Sequence, residues 1–234
     1  MPRPSAAERK AEYLRIGAVM VAEFSPEQAS AVAVDALANV KVADVAERAG
    51  VTKGAVYHIW PTQEAFRIDL LGAVLHRNHQ QAQDRVMALV EEASSEGKDP
   101  QKALAELTCF LFDTLKDDPG FFARFSFFRY ASNPKIRSVL ADDQDSVNND
   151  FGPFIDLYLK ILHRQFREPF TTAIFLTASG SLLHGLCLRY RISPELTEFP
   201  SSHPDTSTSQ EETINMFAFG FKALLDQFTE EIPE

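Results

Sequence analysis

Cysteine, tryptophan and glycine are all scarce in this chain of 234 residues, with two, one and ten copies. Long apolar runs are missing altogether. Nothing approaches the roughly 20 consecutive apolar residues needed to span a bilayer. The longest early run, Ile16 to Ala22, is bounded by Arg15 and Glu23 and has no cleavage-site pattern, so neither a membrane span nor a signal peptide is expected. Cys109 and Cys187 stand alone in apolar helical contexts, which favours buried thiols over a disulfide and suits a reducing cytoplasm. Few glycines and few β-branched runs disfavour a mainly β protein. A basic excess is also lacking, because the net charge is −10.

Apolar residues make up 45% of the chain, enough to fill a substantial core. Acidity is uneven: residues 1–64 hold seven Lys/Arg against eight Asp/Glu, and the remainder holds 16 against 25. A protein that bound nucleic acid indiscriminately would carry a broad basic surface. This one can offer only a few local cations, namely Lys41, Arg48, Lys53 and the Arg3/Arg9/Lys10 group, to meet phosphates.

The most informative stretch is 42–66, VADVAERAGVTKGAVYHIWPTQEAF. Val45, Ala46 and Ala49 form the inner face of one short helix, Gly50 supplies the left-handed turn, and Val56 and Ile59 face inward from a second helix. Thr52 is placed to cap that second helix, and Pro61 ends it. The outward side chains Lys53, Ala55, Tyr57 and His58 are then free to meet DNA, with Gly54 and Ala55 permitting close approach. The spacing predicts a helix-turn-helix at about 42–60. Lys41, Thr52, Lys53, Gly54, Ala55, Tyr57, His58 and Thr62 are its candidate DNA contacts.

Further along, Tyr13, Leu14, Ala18, Val21 and Phe24 recur at helical spacing and predict a first helix over about 6–24. Ser25-Pro26-Glu27-Gln28 reads as a further helix start, ending near Asn39. Thr62 caps a long helix from Gln63 to about Glu92. Helices are expected over 101–117, 120–132, 135–141, 145–168 and 170–191, with breaks at Asp118-Pro119, Asn133-Pro134 and Glu168-Pro169. Residues 193–209 read as a linker, and Ser209 with Glu212 as the capping box of a last helix through about Glu230. No strand is expected, and the fold class is all-α.

The run from Ala46 to Phe66 resembles the signature of the TetR family of bacterial transcriptional regulators. The resemblance is carried by Ala49, Gly50, Val51, Thr52, Gly54, Val56, Tyr57, Trp60, Thr62 and Glu64, including a Gly-x-x-Tyr step and an aromatic–Pro exit that a generic helix-turn-helix does not require. The 17-residue connector from Ser25 to Lys41 departs from the family, whose connection here is short and contains glycine. The resemblance implies an N-terminal three-helix DNA-binding domain, residues 1–66, and a C-terminal helical bundle for ligand binding and dimerisation, residues 67–234. It also implies a palindromic double-stranded operator and a homodimer. A hydrophobic small-molecule effector would shift the population away from the DNA-binding form.

Twelve of the nineteen phenylalanines fall between 110 and 175, more rigid rings than a small bundle core ordinarily takes. An apolar cavity is therefore expected to be lined by Phe110, Phe125, Phe128, Phe154 and Phe175, with polar groups from Arg124, Tyr158 and His184. Residues 171–190 and 214–228 are apolar on more than one face, which predicts a two-fold interface through Leu182, Leu186, Phe217, Phe221, Leu224 and Phe228. Gly180, Gly185 and Gly220 would permit close approach of those helices. Other constellations have bland readings. His76 and His79 mark an exposed helix face, Asp142, Asp143 and Asp145 a solvated turn, and Ser179-Gly180-Ser181 a helix segment with no hydrolase elbow. No metal or cofactor is expected. The alternative function is a helical small-molecule enzyme or carrier whose helix-turn-helix is only a packing motif.

Overall fold

A computed structural model describes residues 4–23, 36–96, 99–128, 130–200 and 213–232. In chain order the elements are α1 (Ala6–Ala22), α2 (Ala36–Asn39), α3 (Val42–Arg48), α4 (Lys53–Tyr57), α5 (Gln63–Glu96), α6 (Pro100–Leu115), α7 (Pro119–Phe128) and α8 (Pro134–Ile161). There follow β1 (Arg164–Phe166), α9 (Thr172–Tyr190), a 3-10 turn (Pro194–Leu196), β2 (Glu198–Pro200), β3 (Thr213–Asn215), α10 (Met216–Phe228) and β4 (Thr229–Glu231). The fold is all-α, with two small antiparallel ladders, β1–β4 and β2–β3, among the described residues.

The chain forms two compact units, one from residues 1–81 and 118–145, the other from 82–117 and 146–234. In the first unit α1 starts from a capping box. Ser5 Oγ accepts from the Glu8 amide and the Glu8 carboxylate accepts from the Ser5 amide. Its apolar side, Tyr13, Ala18 and Val21, meets Leu37, Val42, Val45, Val56, Trp60, Phe66, Leu70 and Leu71 in one continuous core. Segment 118–145, distant in sequence, belongs to the same unit: α7 packs on α1 and α2, and Phe127 and Ile136 join the core. Asp118 caps α7 by accepting from the Gly120 and Phe121 amides at 3.0 and 2.9 Å.

In the second unit α10 packs along α9 and against α6. Aromatic rings build the contact. Phe175 is fully buried and meets Phe221 edge-on at 5.0 Å, with Phe166 and Phe228 on its other sides. Phe170 stacks on Phe228 at 4.2 Å. Such pairs contribute about 0.5–1.5 kcal/mol each beyond their burial. A Cβ at Gly220 would lie 2.5 Å from Leu182 Cδ2, so glycine sets how closely α9 and α10 approach. The end of α10 is closed by Thr229, whose hydroxyl donates to the Leu225 carbonyl at 2.7 Å, and by Arg164 and Arg167, which donate to the Thr229 carbonyl.

Several boundaries correct the sequence reading. Helices 135–141 and 145–168 are one helix, α8, which ends at Ile161. His163, with φ of 53°, then turns the chain into β1. The solvated turn at Asp142–Asp145 does not exist, because Asp143 is buried and bonded to Arg124 at 2.7 Å. The last helix begins at Met216, capped by Asn215 Oδ1 on the Ala218 amide, since Thr213–Asn215 are paired as a strand. It ends at Phe228, and Thr229–Glu231 pair with Arg164–Phe166. The helix start at Ser25 and the capping box at Ser209 and Glu212 lie outside the described residues, as does Phe24. The long helix reaches Glu96 rather than Glu92.

Candidate nucleic-acid interface

The interface is built by α3, a tight turn and α4. Gly50 stands at φ of 65°, in the left-handed region where a side chain is strained, and lets the Val51 amide return to the Ala46 carbonyl at 2.9 Å. Thr52 then caps α4, its hydroxyl accepting from the Ala55 amide at 3.3 Å. Val56 is the inward residue of α4, with no exposure, and joins Val45, Ala46 and Trp60 in the core. Everything around Val56 on α4 turns outward: Lys53, Gly54, Ala55 and Tyr57 are exposed, and so is His58 at the C-cap. Lys41, Thr52 and Thr62 are exposed too.

Support for this short helix comes from α1 and α5, through contacts that sequence reasoning did not anticipate, those of Asp69 and Arg67 among them. Trp60, 3% exposed, donates its indole N–H to Asp69 Oδ2 at 2.8 Å. The same oxygen takes the Lys10 ammonium at 2.6 Å, and the ring of Trp60 packs against Tyr13 and Phe66. Gln63 spans from α5 to the entry of α3, accepting from the Val42 amide at 2.9 Å and donating to the Val40 carbonyl at 3.0 Å. Arg67 donates to the Ala38 carbonyl at 2.6 Å, at the end of α2. Apart from the Trp60–Asp69 bond and the Trp60–Phe66 ring contact, these contacts join residues 21 to 59 positions apart, so no local signal marks them.

Of the cations assigned to phosphate, Lys41 and Lys53 are exposed. Arg48 is held by Glu23 at 2.7 Å and Lys10 by Asp69, while Arg9 donates to the Pro4 carbonyl; Arg3 lies outside the described residues.

The residues expected to line an effector cavity divide between the units. Arg124, Phe125 and Phe128 belong to the first. Arg124 is nearly buried and ion-paired with Asp143, and burial pulls its guanidinium pKa down while Asp143 raises it. Phe125 meets Phe121 edge-on and stacks on Phe128, which is 46% exposed. Phe110, Phe154, Tyr158, Phe175 and His184 belong to the second unit. Phe110, Phe154 and His184 are half-buried, whereas Phe175 is wholly enclosed by neighbouring rings. The Tyr158 hydroxyl donates to the Pro100 carbonyl at 3.3 Å, and burial, with Asp99 and Asp226, pushes its pKa up to about 12. One polar group that sequence reasoning missed is Asn148 on α8, whose Oδ1 is buried without a hydrogen-bond partner.

The expected dimer residues also divide. Phe217 and Phe221 are 2% and 7% exposed, packed inside their own unit, which removes them from any surface. Leu182, Leu186, Leu224 and Phe228 are half-buried. The outward stripe of α9 is instead Ile174, Ser181, Gly185 and Leu188, and that of α10 carries Phe219 at 62% exposure and Ala223. Nothing lies within 4 Å of a Cβ built on Gly180 or Gly185.

Elsewhere the bland readings are given a structure. Ser179 is buried and donates to the Leu176 carbonyl, and Ser181 donates to the Thr177 carbonyl, so both hydroxyls serve their own helix. His76 is exposed, and the side chain of His79 lies outside the described residues. Cys109 and Cys187 are unbridged; Cys187 is buried, and burial first and Asp117 second push its thiol up to about 12. Among the described residues, no helix is long and apolar enough to cross a membrane.

Residues 33–70 match the family described as bacterial regulatory proteins, tetR family. No curated protein matches the chain. The fold is shared along nearly all of the chain with solved regulators of low identity. A putative TetR-family transcriptional regulator from Rhodococcus sp. is 18% identical at a TM-score of 0.54, covering 95% of this chain and 98% of its own. A TetR-family regulator from Cytophaga hutchinsonii is 14% identical, also at 0.54, with both chains covered completely at 100%. The multidrug binding protein EbrR, solved with proflavin, is 17% identical at 0.51, covering 94% of this chain and 99% of its own.

Proposed function

We propose, from the match of residues 33–70 to the tetR family of bacterial regulatory proteins, that the chain works in the cytoplasm as a dimeric repressor released from a palindromic operator by a hydrophobic small molecule. One observation carries the reading. The eight residues that the motif aims at DNA, Lys41, Thr52, Lys53, Gly54, Ala55, Tyr57, His58 and Thr62, are all exposed around a buried Val56. A helix-turn-helix serving only as packing, in an enzyme or carrier, has no need to leave that face bare. Residues 1–66 are the reading domain of this proposal and 67–234 the sensing and dimerising one. A dimer would set its two recognition helices about 34–36 Å apart when bound, to enter successive major grooves.

Dimerisation is assigned to the outward stripe of α9 and α10, with Ile174, Gly185, Leu188 and Phe219 central to it. A largely apolar face with an open glycine, Gly185, suits close helix packing across a two-fold axis. Sensing is assigned to the helices of 101–190. Phe110 and Phe154 offer half-buried apolar surface there, and the uncommitted Asn148 oxygen offers an acceptor for a ligand donor. The solved complex of EbrR with proflavin is a precedent for a flat aromatic ligand on this fold. The effector is therefore mostly apolar, with one polar handle.

The test is selection of a duplex from a random-sequence pool by the wild-type protein, followed by binding measurements on that duplex. Lys53→Ala and Tyr57→Ala should each weaken binding by about 1–3 kcal/mol with the melting temperature unchanged. Failure of the protein to enrich any sequence, or wild-type binding by both variants, would sink the reading. A hydrophobic ligand should raise the melting temperature and lower duplex affinity together, since one coupling free energy governs both.

A further inference from the structure

We propose that Gln63 is a positioning residue for DNA binding, a side chain that holds the helix-turn-helix closed and thereby sets how Lys41 and α4 are presented. The inference rests on the reading of 42–60 as the DNA-reading head. Gln63 is the first residue of α5, next to the Thr62 cap. Its side-chain amide is used from both ends: Oε1 accepts from the Val42 N–H at 2.9 Å and Nε2 donates to the Val40 carbonyl at 3.0 Å. Those two backbone groups flank Lys41, which is extended at φ of −97° and ψ of 146°. One side chain thus imitates the pairing that a neighbouring strand would give.

The need for it lies in α3. The first amides of a helix have no partner inside the helix, and a side chain at the N-cap ordinarily supplies one. Here the N-cap is Lys41, which makes no side-chain cap bond. Without Gln63 the Val42 amide, attached to a side chain with no exposure, would be left unsatisfied. The bond also joins positions 21 apart, so it closes a ring containing α3, the turn, α4 and the exit through Pro61. Fixing the entry of α3 against the entry of α5 fixes the two ends between which α4 hangs. It also pins the Lys41 backbone while leaving its side chain exposed, so the reach of that ammonium to a phosphate is defined.

Only an amide of this length does both tasks. A carboxylate in its place keeps the acceptor and loses the donor until it is protonated. The experiment uses the full chain and the duplex that the wild type selects from the random pool. Gln63→Ala should bind about tenfold more weakly, the effect of one lost cap. The slope of log affinity against log salt should be unchanged, because no phosphate contact is removed. Its Val42 amide should exchange faster, with Val45 and Phe66 as protected as before. Gln63→Glu should fall between the two at neutral pH and recover towards wild type in mildly acid buffer, each compared with wild type at the same pH. Undiminished binding by Gln63→Ala overturns the inference and leaves the DNA-binding reading standing. So does unchanged exchange at Val42. A salt slope shallower by about one also overturns it, since Gln63 would then touch phosphate directly. Failure of the wild type to select any duplex overturns both readings together.

Discussion

The reading head and the α9–α10 pair are both apolar helical structures, yet they are specified in different ways. In the head the ends are mostly set by a residue within four positions: Gly50 at φ of 65°, Thr52 on the Ala55 amide, Thr62 on the Ala65 amide; the entry of α3, held by Gln63, is the exception. Inside and outside are unambiguous, because α4 offers Val56 alone to the core. Along α10, by contrast, Phe217, Phe219 and Phe221 follow one another at alternate positions, and the first and third are buried while the second is 62% exposed. A pattern apolar all round does not say which ring faces home. Local signals place the first region; only packing places the second.

The largest expected effect breaks the second region. Phe217→Ala should destabilise the protein by about 3–5 kcal/mol in chemical denaturation, as for other buried rings. Phe219→Asp should leave stability within about 0.5 kcal/mol per subunit and abolish self-association in sedimentation. Equal effects on stability would erase the distinction between the two rings. Nearly as large is Asp143→Ala, which leaves the Arg124 guanidinium buried without its carboxylate and should cost about 3–5 kcal/mol. Double replacement by Met at 124 and Leu at 143 should recover most of that loss. A single-variant loss under 1 kcal/mol would show the pair to be dispensable.

In the head the effects are smaller, because each local signal acts alone. Gly50→Ala should destabilise by about 1–2 kcal/mol, the strain of a side chain in the left-handed region, although a Cβ there would meet nothing. No change on thermal unfolding would mean that the turn adapts freely. The smallest effect is chemical rather than thermodynamic. With its pKa raised to about 12, the Cys187 thiol is protonated at pH 8, so alkylation should modify half-buried Cys109 first. The raised value also has a sign for stability. Favourable burial of the neutral thiol is complete below its unfolded pKa of about 8.5 and is lost as pH rises towards 12. Faster labelling of Cys187 than of Cys109 would contradict that burial.

How much of this was legible follows from the same contrast. The helix-turn-helix, its turn and its cap could be read from 42–62 because each depends on neighbours in sequence. The all-α class followed from helical spacing and the Pro breaks. The Asp142–Asp145 segment reads as a turn because three carboxylates in four positions look solvated, yet it lies within α8. The Arg124 that accommodates one of them is 19 residues away. Strands β1 and β4 pair residues about 65 positions apart, and three-residue strands carry too little pattern to show. Of the candidate sites, the face proposed for DNA lies on α4 and its flanks, where local signals sufficed to expect its eight residues to be exposed, as they are. The inward or outward fate of Phe175, Phe217 and Phe221 depended on which neighbours arrived, and sequence spacing does not record that.

The one tryptophan of the chain is Trp60, buried just past the end of α4 with its indole bound to Asp69. Its consequence is optical. Light absorbed at the red edge of the protein band is emitted by Trp60 and by nothing else, so the molecule carries its own label directly behind the exposed face of α4. A compound that binds in the second unit, 82–117 and 146–234, and changes that emission has moved the environment of Trp60, which makes a titration in a cuvette a direct reading of communication between the two units.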